Sequence, residues 1–422
     1  MAKQALLAAI DGDRDKHVAF LQAFLRAPSP NPPGDTVGAA KVLCDYLRDC
    51  EISPSVIGPK TNMANVVSDF VGGAGPGPRV VMNGHMDVFP VSDGDSWTHS
   101  PWSGHNDGVH LYARGAVDMK AGTAASVIAY SYLHQRRKQL KGSLALTAVS
   151  DEETGGKWGS RWLLDQDGEN SRWRGDCMIN AEPGGMQTIR FGEKGSLRLT
   201  FIIRTPGAHG AYLHLSEGAN RVATRLAAAL LSVEDIVPPD TPESIVKHLQ
   251  RADVRAVIDE CMGPGAANLA AKPTLNIGTM HGGVKVNMIP ELCTMETDIR
   301  LPIGLTKELV LDHIHDILKS FPEVELQVQD AASNPASHCP PDHPLLKAIA
   351  KNAKEVTGRE PLGIPSLGAT DTKFWRYLGI PAYVYGPSPA SMASKDERVL
   401  ISEFIDVIKT HACAVWEYLE GP

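Results

Sequence analysis

The 422-residue chain has no CxxC pair, no internal repeat and no low-complexity run. Its seven cysteines are scattered from Cys44 to Cys413, an odd, unpatterned set that suits free thiols in a reducing compartment. No stretch approaches the ~20 apolar residues of a membrane span. The N-terminal MAKQALLAAIDGDRDKH passes from a short apolar stretch straight into acids and bases, unlike a secretory leader. These absences lead to the expectation of a soluble, cytoplasmic protein with no membrane partner. Positive charge is not in excess either. A formal net charge of -8 argues against a nucleic-acid groove, and Arg136-Arg137-Lys138 reads as a solvated helix end. What remains is ordinary globular composition, 43% hydrophobic and 21% charged. The length is too great for one small core, so two or more domains are expected.

Apolar spacing in DKHVAFLQAFLRAPSP and TVGAAKVLCDYLRDC predicts helices, and ANVVSDFV and PRVVMNG predict strands. DMKAGTAASVIAYSYLHQ reads as a small-residue helix suited to close packing on a sheet, and GSLALTAVSDEE and DCMINAEPGG read as further strands. This alternation predicts an α/β domain with a central, mostly parallel sheet covered by helices on both faces. Near residue 188 the pattern changes to alternating strands (SLRLTFIIRTPG, TLNIGTMHGG, LCTMETDIRLP) and one amphipathic helix, GANRVATRLAAALLSVE. The expected division is a discontinuous catalytic domain, 1–187 and 304–422, with a smaller α+β domain, 188–303, inserted into it.

Ligands in open α/β sheets bind beyond the carboxyl ends of the strands. Four strand or loop ends here carry polar groups: His85 with Asp87, Asp118, Asp151-Glu152-Glu153, and Glu182. Singly, each has a plain structural reading, Asp118 as a helix cap or the glutamates as a solvated loop. Together they set one imidazole and several carboxylates along one sheet edge. A divalent cation is the simplest compensation for that much negative charge. Mixed His and carboxylate ligation suits zinc first, with cobalt or manganese as alternatives, ahead of calcium.

The ordered motifs GHMDVFP, ARGAVDMKAG, DEETGG and NAEPGG, followed by TPGAHGAY, VNMIPELCTMETDIR and GATDTKFW, cover nearly the whole chain. In them the sequence resembles the metal-dependent exopeptidases and amidohydrolases that include aminoacylases, acetylornithine deacetylases, succinyl-diaminopimelate desuccinylases and glutamate carboxypeptidases. Ala113 stands where that family usually has glycine. The resemblance implies that His85 and Glu182 bind a first metal, with Asp87 orienting the imidazole through its carboxylate. It implies that Asp118 bridges two metals ahead of a cis peptide to Met119, and that Glu153 binds the second. Glu152 would be the general base on a metal-bound water. It further implies a homodimer in which His209 reaches the partner's oxyanion. Asn287 and Arg300 would hold the substrate's carbonyl and carboxylate. Gly368 and Thr370 would lie in a loop beside the site, and Asp371 would cap the next helix. The implied reaction is hydrolysis of an N-acyl amino acid, or of a peptide bond next to a free carboxylate. Related acyl-transfer, amide-forming or carbamoyl chemistry on the same scaffold is an alternative, as is a catalytically dead ligand-binding relative.

One family position is missing. A final metal-binding histidine is expected shortly before the acidic pair Asp396-Glu397, and Ala393 stands there; no histidine occurs between His343 and His411. Three explanations are open: a natural, mononuclear or altered site; an inactivating replacement; or a substitute ligand from His338, Cys339 or His343. The expectation is one tightly bound metal, with the second position weakened by Ala393.

Overall fold

The computed structural model describes residues 2–92, 96–166 and 172–420. The chain divides into two compact units. One comprises Met1–Phe191, Cys339–Ile364 and Thr370–Pro422; the other comprises Gly192–His338 and Pro365–Ala369. Among the described residues, no helix is long and apolar enough to cross a membrane.

The first unit has the α/β architecture expected from its alternating pattern. At the centre of its sheet the strands Ser143–Val149, Arg79–His85, Cys177–Asn180 and Ala382–Val384 run parallel in that order. Both faces of these strands are buried, which is why their sequences are near-continuous apolar runs. The flanks are antiparallel: Asn65–Val71 pairs with Ser143–Val149, and Val384 pairs with Arg190. The sheet is therefore parallel where the ligand-bearing strands lie and antiparallel toward its margins. The helix Ala121–Gln135 is buried along nearly its whole length, and the C-terminal helix Ile401–Glu420 packs against it. Two glycines allow close packing behind Glu182. A Cβ on Gly122 would stand 2.2 Å from the Ala181 carbonyl oxygen, and one on Gly386 would stand 2.2 Å from that of Glu182.

The second unit contains a four-stranded antiparallel sheet, ordered Thr274–Gly282, Leu292–Leu301, Gly195–Arg204, Val324–Val328. Alternate residues of its strands, among them Leu197, Leu199, Phe201, Met295 and Ile299, pack with Val222, Leu226, Val310 and Ile314 from two helices. Those helices are Ala219–Leu230 and Lys307–Leu318. Residues 304–338, assigned by the sequence pattern to the larger domain, thus belong to the second unit. The 307–318 helix and the 324–328 strand complete its core and its sheet.

Candidate metal centre

Three parallel strand ends supply the charged groups. The 79–85 strand ends on His85, the 143–149 strand runs into Asp151-Glu152-Glu153, and the 177–180 strand is followed two residues later by Glu182. Asp118 arrives from the other side, in the turn that precedes the 121–135 helix, and its peptide bond to Met119 is cis. The Nε2 atom of His85 lies 3.2 Å from Asp118 Oδ1 and 3.2 Å from Glu182 Oε1. One ligand atom from each of His85, Asp118 and Glu182 lies within 4.8 Å of the others, and all three residues are buried. Among the described residues no other His, Cys, Asp or Glu set converges in this way. Glu152 Oε2 stands beside them, 4.0 Å from His85 Nε2.

The electrostatics call for a cation. Burial raises the carboxyl groups of Glu182, Glu152 and Glu153 well above their ordinary range, and neighbouring carboxylates push each further. Burial opposes a charge on His85, but Glu182, Asp118 and Asp87 outweigh it and hold the imidazole's proton far above its usual range. Glu153 Oε1 is buried with no hydrogen-bond partner among the described residues. An uncompensated buried carboxylate costs several kcal/mol, roughly. A divalent ion between these groups would compensate them, so the donor set fits a metal.

The support of the centre joins motif residues to Asn31, Asn83 and Ser160, which lie outside the motifs. His85 Nδ1 bonds the backbone carbonyl of Asp87 at 2.8 Å, while the Asp87 carboxylate stands 3.6 Å away. Asp87 therefore orients the ring chiefly through its carbonyl, which differs from the expectation. Its carboxylate accepts instead from Asn31 Nδ2 and from the amides of Glu152 and Glu153, at 2.8, 3.2 and 3.1 Å. It thereby fixes the turn that presents both glutamates. Asp151 makes that turn with a left-handed backbone, φ 74°, a conformation Asp tolerates better than most residues.

A second set of bonds runs under the strand ends. The Glu182 amide donates to Asn180 Oδ1 at 2.6 Å, and Asn180 Nδ2 donates to Asn83 Oδ1 at 3.0 Å. Asn83 Nδ2 reaches Ser160 Oγ at 3.3 Å, and Ser160 donates to Asp371 Oδ2 at 2.7 Å. All of these side chains are buried. Asp371 is thus engaged with Ser160 and does not cap the following helix through its side chain. The one signal in the sequence is an amide side chain, Asn83, inside an apolar strand, because a buried polar group demands partners.

Thr370 is buried in the first unit, with its hydroxyl bonded to that of Thr372. The other expected substrate contacts lie in the second unit. His209 sits on a two-stranded ribbon, where it pairs with Met288, and Asn287 is the turn residue just before that strand, its carbonyl accepting from the Gly210 amide at 2.8 Å. His209 is exposed and its Nδ1 accepts from the Ala211 amide at 3.2 Å. The neutral ring therefore carries its proton on Nε2, as a donor. Arg300 bonds Asp298 at 2.9 Å and is half-buried. Gly368 is exposed, with open space where a Cβ would stand.

Ala393 is an exposed loop residue in the first unit with a left-handed backbone, φ 57°. Two of the proposed substitutes have structural work elsewhere. Cys339 Sγ accepts from the Ala382 amide at 3.1 Å, and His343 Nδ1 caps the 344–357 helix by accepting from Leu345 N at 3.2 Å. His338 lies in the second unit, on a short strand. His411, in the last helix, is buried and bonds the Tyr385 carbonyl at 2.7 Å.

Known proteins resemble this chain along its length. A probable succinyl-diaminopimelate desuccinylase of Staphylococcus epidermidis is 25% identical over 395 residues, covering 90% of this chain and 93% of its own. A succinyl-diaminopimelate desuccinylase of Hydrogenovibrio crunogenus is 27% identical over 398 residues, covering 92% and 94%. In fold, the chain matches the M20 family metallo-carboxypeptidase Sso-CP2 of Sulfolobus solfataricus. The TM-score is 0.79 at 19% identity, covering 95% of this chain and 99% of that one. Residues 81–417 match the model of peptidase family M20/M25/M40, and the chain is a member of that hydrolase family.

Proposed function

We propose that the protein is a metal-dependent amidohydrolase that cleaves an N-acyl amino acid, or a peptide bond next to a free carboxylate. The observation that carries this reading is the buried convergence of His85, Asp118 and Glu182 with the Glu152 carboxylate 4.0 Å from His85 Nε2. His85, Asp118 and Glu182 would hold the metal, zinc before cobalt or manganese. When bound, the metal would polarise the scissile carbonyl and make water acidic enough to lose a proton near neutral pH. Glu152, fixed at its amide by Asp87, takes that proton and returns it to the leaving amine. His85 keeps Nε2 turned to the centre because its Nδ1 is tied to the Asp87 carbonyl. Glu182 is kept in place by Asn180 beneath it.

The same proposal assigns His209 Nε2 as an oxyanion donor to the partner subunit's site, and Asn287, Arg300, Gly368 and Thr370 as substrate contacts. The exposed imidazole whose Nδ1 is already occupied supports that role for His209. A homodimer through the second unit is part of this reading. Its edge strand Thr274–Gly282 pairs on one side only with a strand among the described residues, and the adjoining Val284 and Val286 are 94% and 100% exposed. A cytoplasmic location is proposed with it, on the scattered cysteines, all of which are free. The test is hydrolysis of a panel of N-acyl amino acids and dipeptides, N-succinyl-diaminopimelate included, by metal-free protein with and without added zinc, cobalt or manganese. Metal-dependent cleavage of at least one amide is expected. No cleavage with any metal would reject the proposal.

A further inference from the structure

Glu397 is a buried carboxylate that the mechanism above does not use. It is 1% exposed and opens the short strand Arg398–Leu400. Its Oε2 accepts from Arg114 Nη1 at 2.8 Å and from the Gly115 amide at 3.1 Å. Its Oε1 accepts from the Val117 amide at 2.8 Å and from the Asp118 amide at 3.1 Å. Its own carbonyl takes the Ala113 amide at 3.0 Å. Three amides of one turn and a guanidinium therefore converge on a single side chain from the far end of the sequence.

The turn's own backbone bonds, from the Ala116 amide to the Ala113 carbonyl at 3.1 Å and from the Lys120 amide to the Gly115 carbonyl at 2.9 Å, do not use the amides of Gly115, Val117 or Asp118. Asp118 has extended rather than helical backbone angles, φ -113° and ψ 101°, so the turn does not close into an ordinary helical bond ladder there. Gly115 is left-handed at φ 79°, and a Cβ on it would stand 2.3 Å from Val88 Cγ1. The shape is specific, and its amides need an external acceptor.

We infer that Glu397 is a positioning residue for Asp118, gripping the 114–118 turn so that the Asp118 carboxylate faces His85. The inference rests on the reading of Asp118 as a metal ligand. It also ties the missing-histidine loop to the centre, because Arg114 Nη1 donates to the Ser394 carbonyl at 3.2 Å as well as to Glu397. Position 393 is thus fixed, through Ser394, Arg114 and Glu397, to the turn that carries Asp118. A glutamine at 397 keeps the shape but loses the function: one carbonyl oxygen cannot serve four donors, and its NH₂ faces N–H groups. Supports of this kind carry about 10–100-fold in metal affinity or activity.

The test compares Glu397→Gln with Asp396→Asn. Asp396 anchors the same loop by accepting from the Thr98 amide at 2.7 Å and its hydroxyl at 2.9 Å, without touching the 114–118 amides. Zinc affinity of each metal-free full-length protein is read by competition with a chromophoric chelator, beside thermal unfolding of the metal-free form. Glu397→Gln is expected to weaken zinc binding about 10–100-fold and to lower kcat more than it raises KM, while Asp396→Asn binds zinc as the wild type does. A folded Glu397→Gln protein with wild-type zinc affinity overturns the inference and leaves the proposed activity standing. Wild-type protein that binds no zinc overturns both. Should Glu397→Gln fail to fold, amide exchange in the metal-free wild type is the second readout. Protection of the 114–118 amides on a par with the 79–85 strand is expected, and free exchange there overturns the inference.

Discussion

The two sides of Asp118 are built differently. Toward His85 and Glu182, the groups stand on or just beyond adjacent parallel strands, each tied down behind: His85 by the Asp87 carbonyl, Glu182 by Asn180. Toward Glu153, the groups come from turns. Glu153 follows a left-handed Asp151 and leaves Oε1 unpartnered among the described residues. The loop where a last ligand would be expected has Ala393, left-handed and without a donor atom. Two strand ends and the Asp118 turn bring together the three residues proposed as ligands of the first metal; toward Glu153 the turns bring one further carboxylate. Zinc ordinarily takes three or four protein ligands, so under the proposed assignment the first side is sufficient and the second is short of a ligand.

The largest effects should come from breaking the complete side. His85→Ala is expected to lose both bound metal and activity, read by elemental analysis and by turnover. Glu152→Gln is expected to retain metal and fold while kcat falls about 10²–10⁴-fold. Most of the wild-type rate in the glutamine variant would remove Glu152 from the chemistry. Metal retained by His85→Ala would mean that the strand-end set is not the metal's main support.

A smaller effect is expected from His209→Ala, where loss of one oxyanion donor should cost about 10²–10³-fold in kcat. Mixing this variant with Glu152→Gln should restore part of the activity if His209 serves the partner's site. Light scattering showing only monomer at micromolar concentration would contradict the shared site. The mildest change is Ala393→His, which is expected to raise affinity for a second metal by completing a three-ligand set with Asp118 and Glu153. The backbone should accept it, because histidine is several-fold enriched at positive φ. Unchanged second-metal affinity in that variant would show that position 393 does not face the centre.

The same contrast explains what sequence could and could not reveal. Apolar runs that break into His85, Asp151 and Glu182 expose the strand ends, because a buried strand is written in consecutive residues. The parallel centre and the antiparallel sheet of the second unit follow from such patterns. Supports such as Asn31 to Asp87, or Glu397 to Asp118, join residues far apart in the chain, and no local period reports them. The domain boundary near 304 was illegible for a related reason. The 307–318 helix is amphipathic wherever it docks, and only its packing on Leu226 and Met295 shows which sheet it covers. Asp371 reads as a helix cap from its position, whereas its partner, Ser160, lies on a different helix.

The central claim is that one side of Asp118 holds a metal and the other does not. Its most direct test is elemental analysis of the full-length protein after exhaustive dialysis against metal-free buffer, with protein concentration from absorbance. About one divalent metal per chain is the expected result, from the three ligands of the first side. Two metals per chain would contradict it and require a ligand that replaces the missing histidine. No metal, together with no cleavage of any amide on adding zinc, cobalt or manganese, would contradict it from the other side.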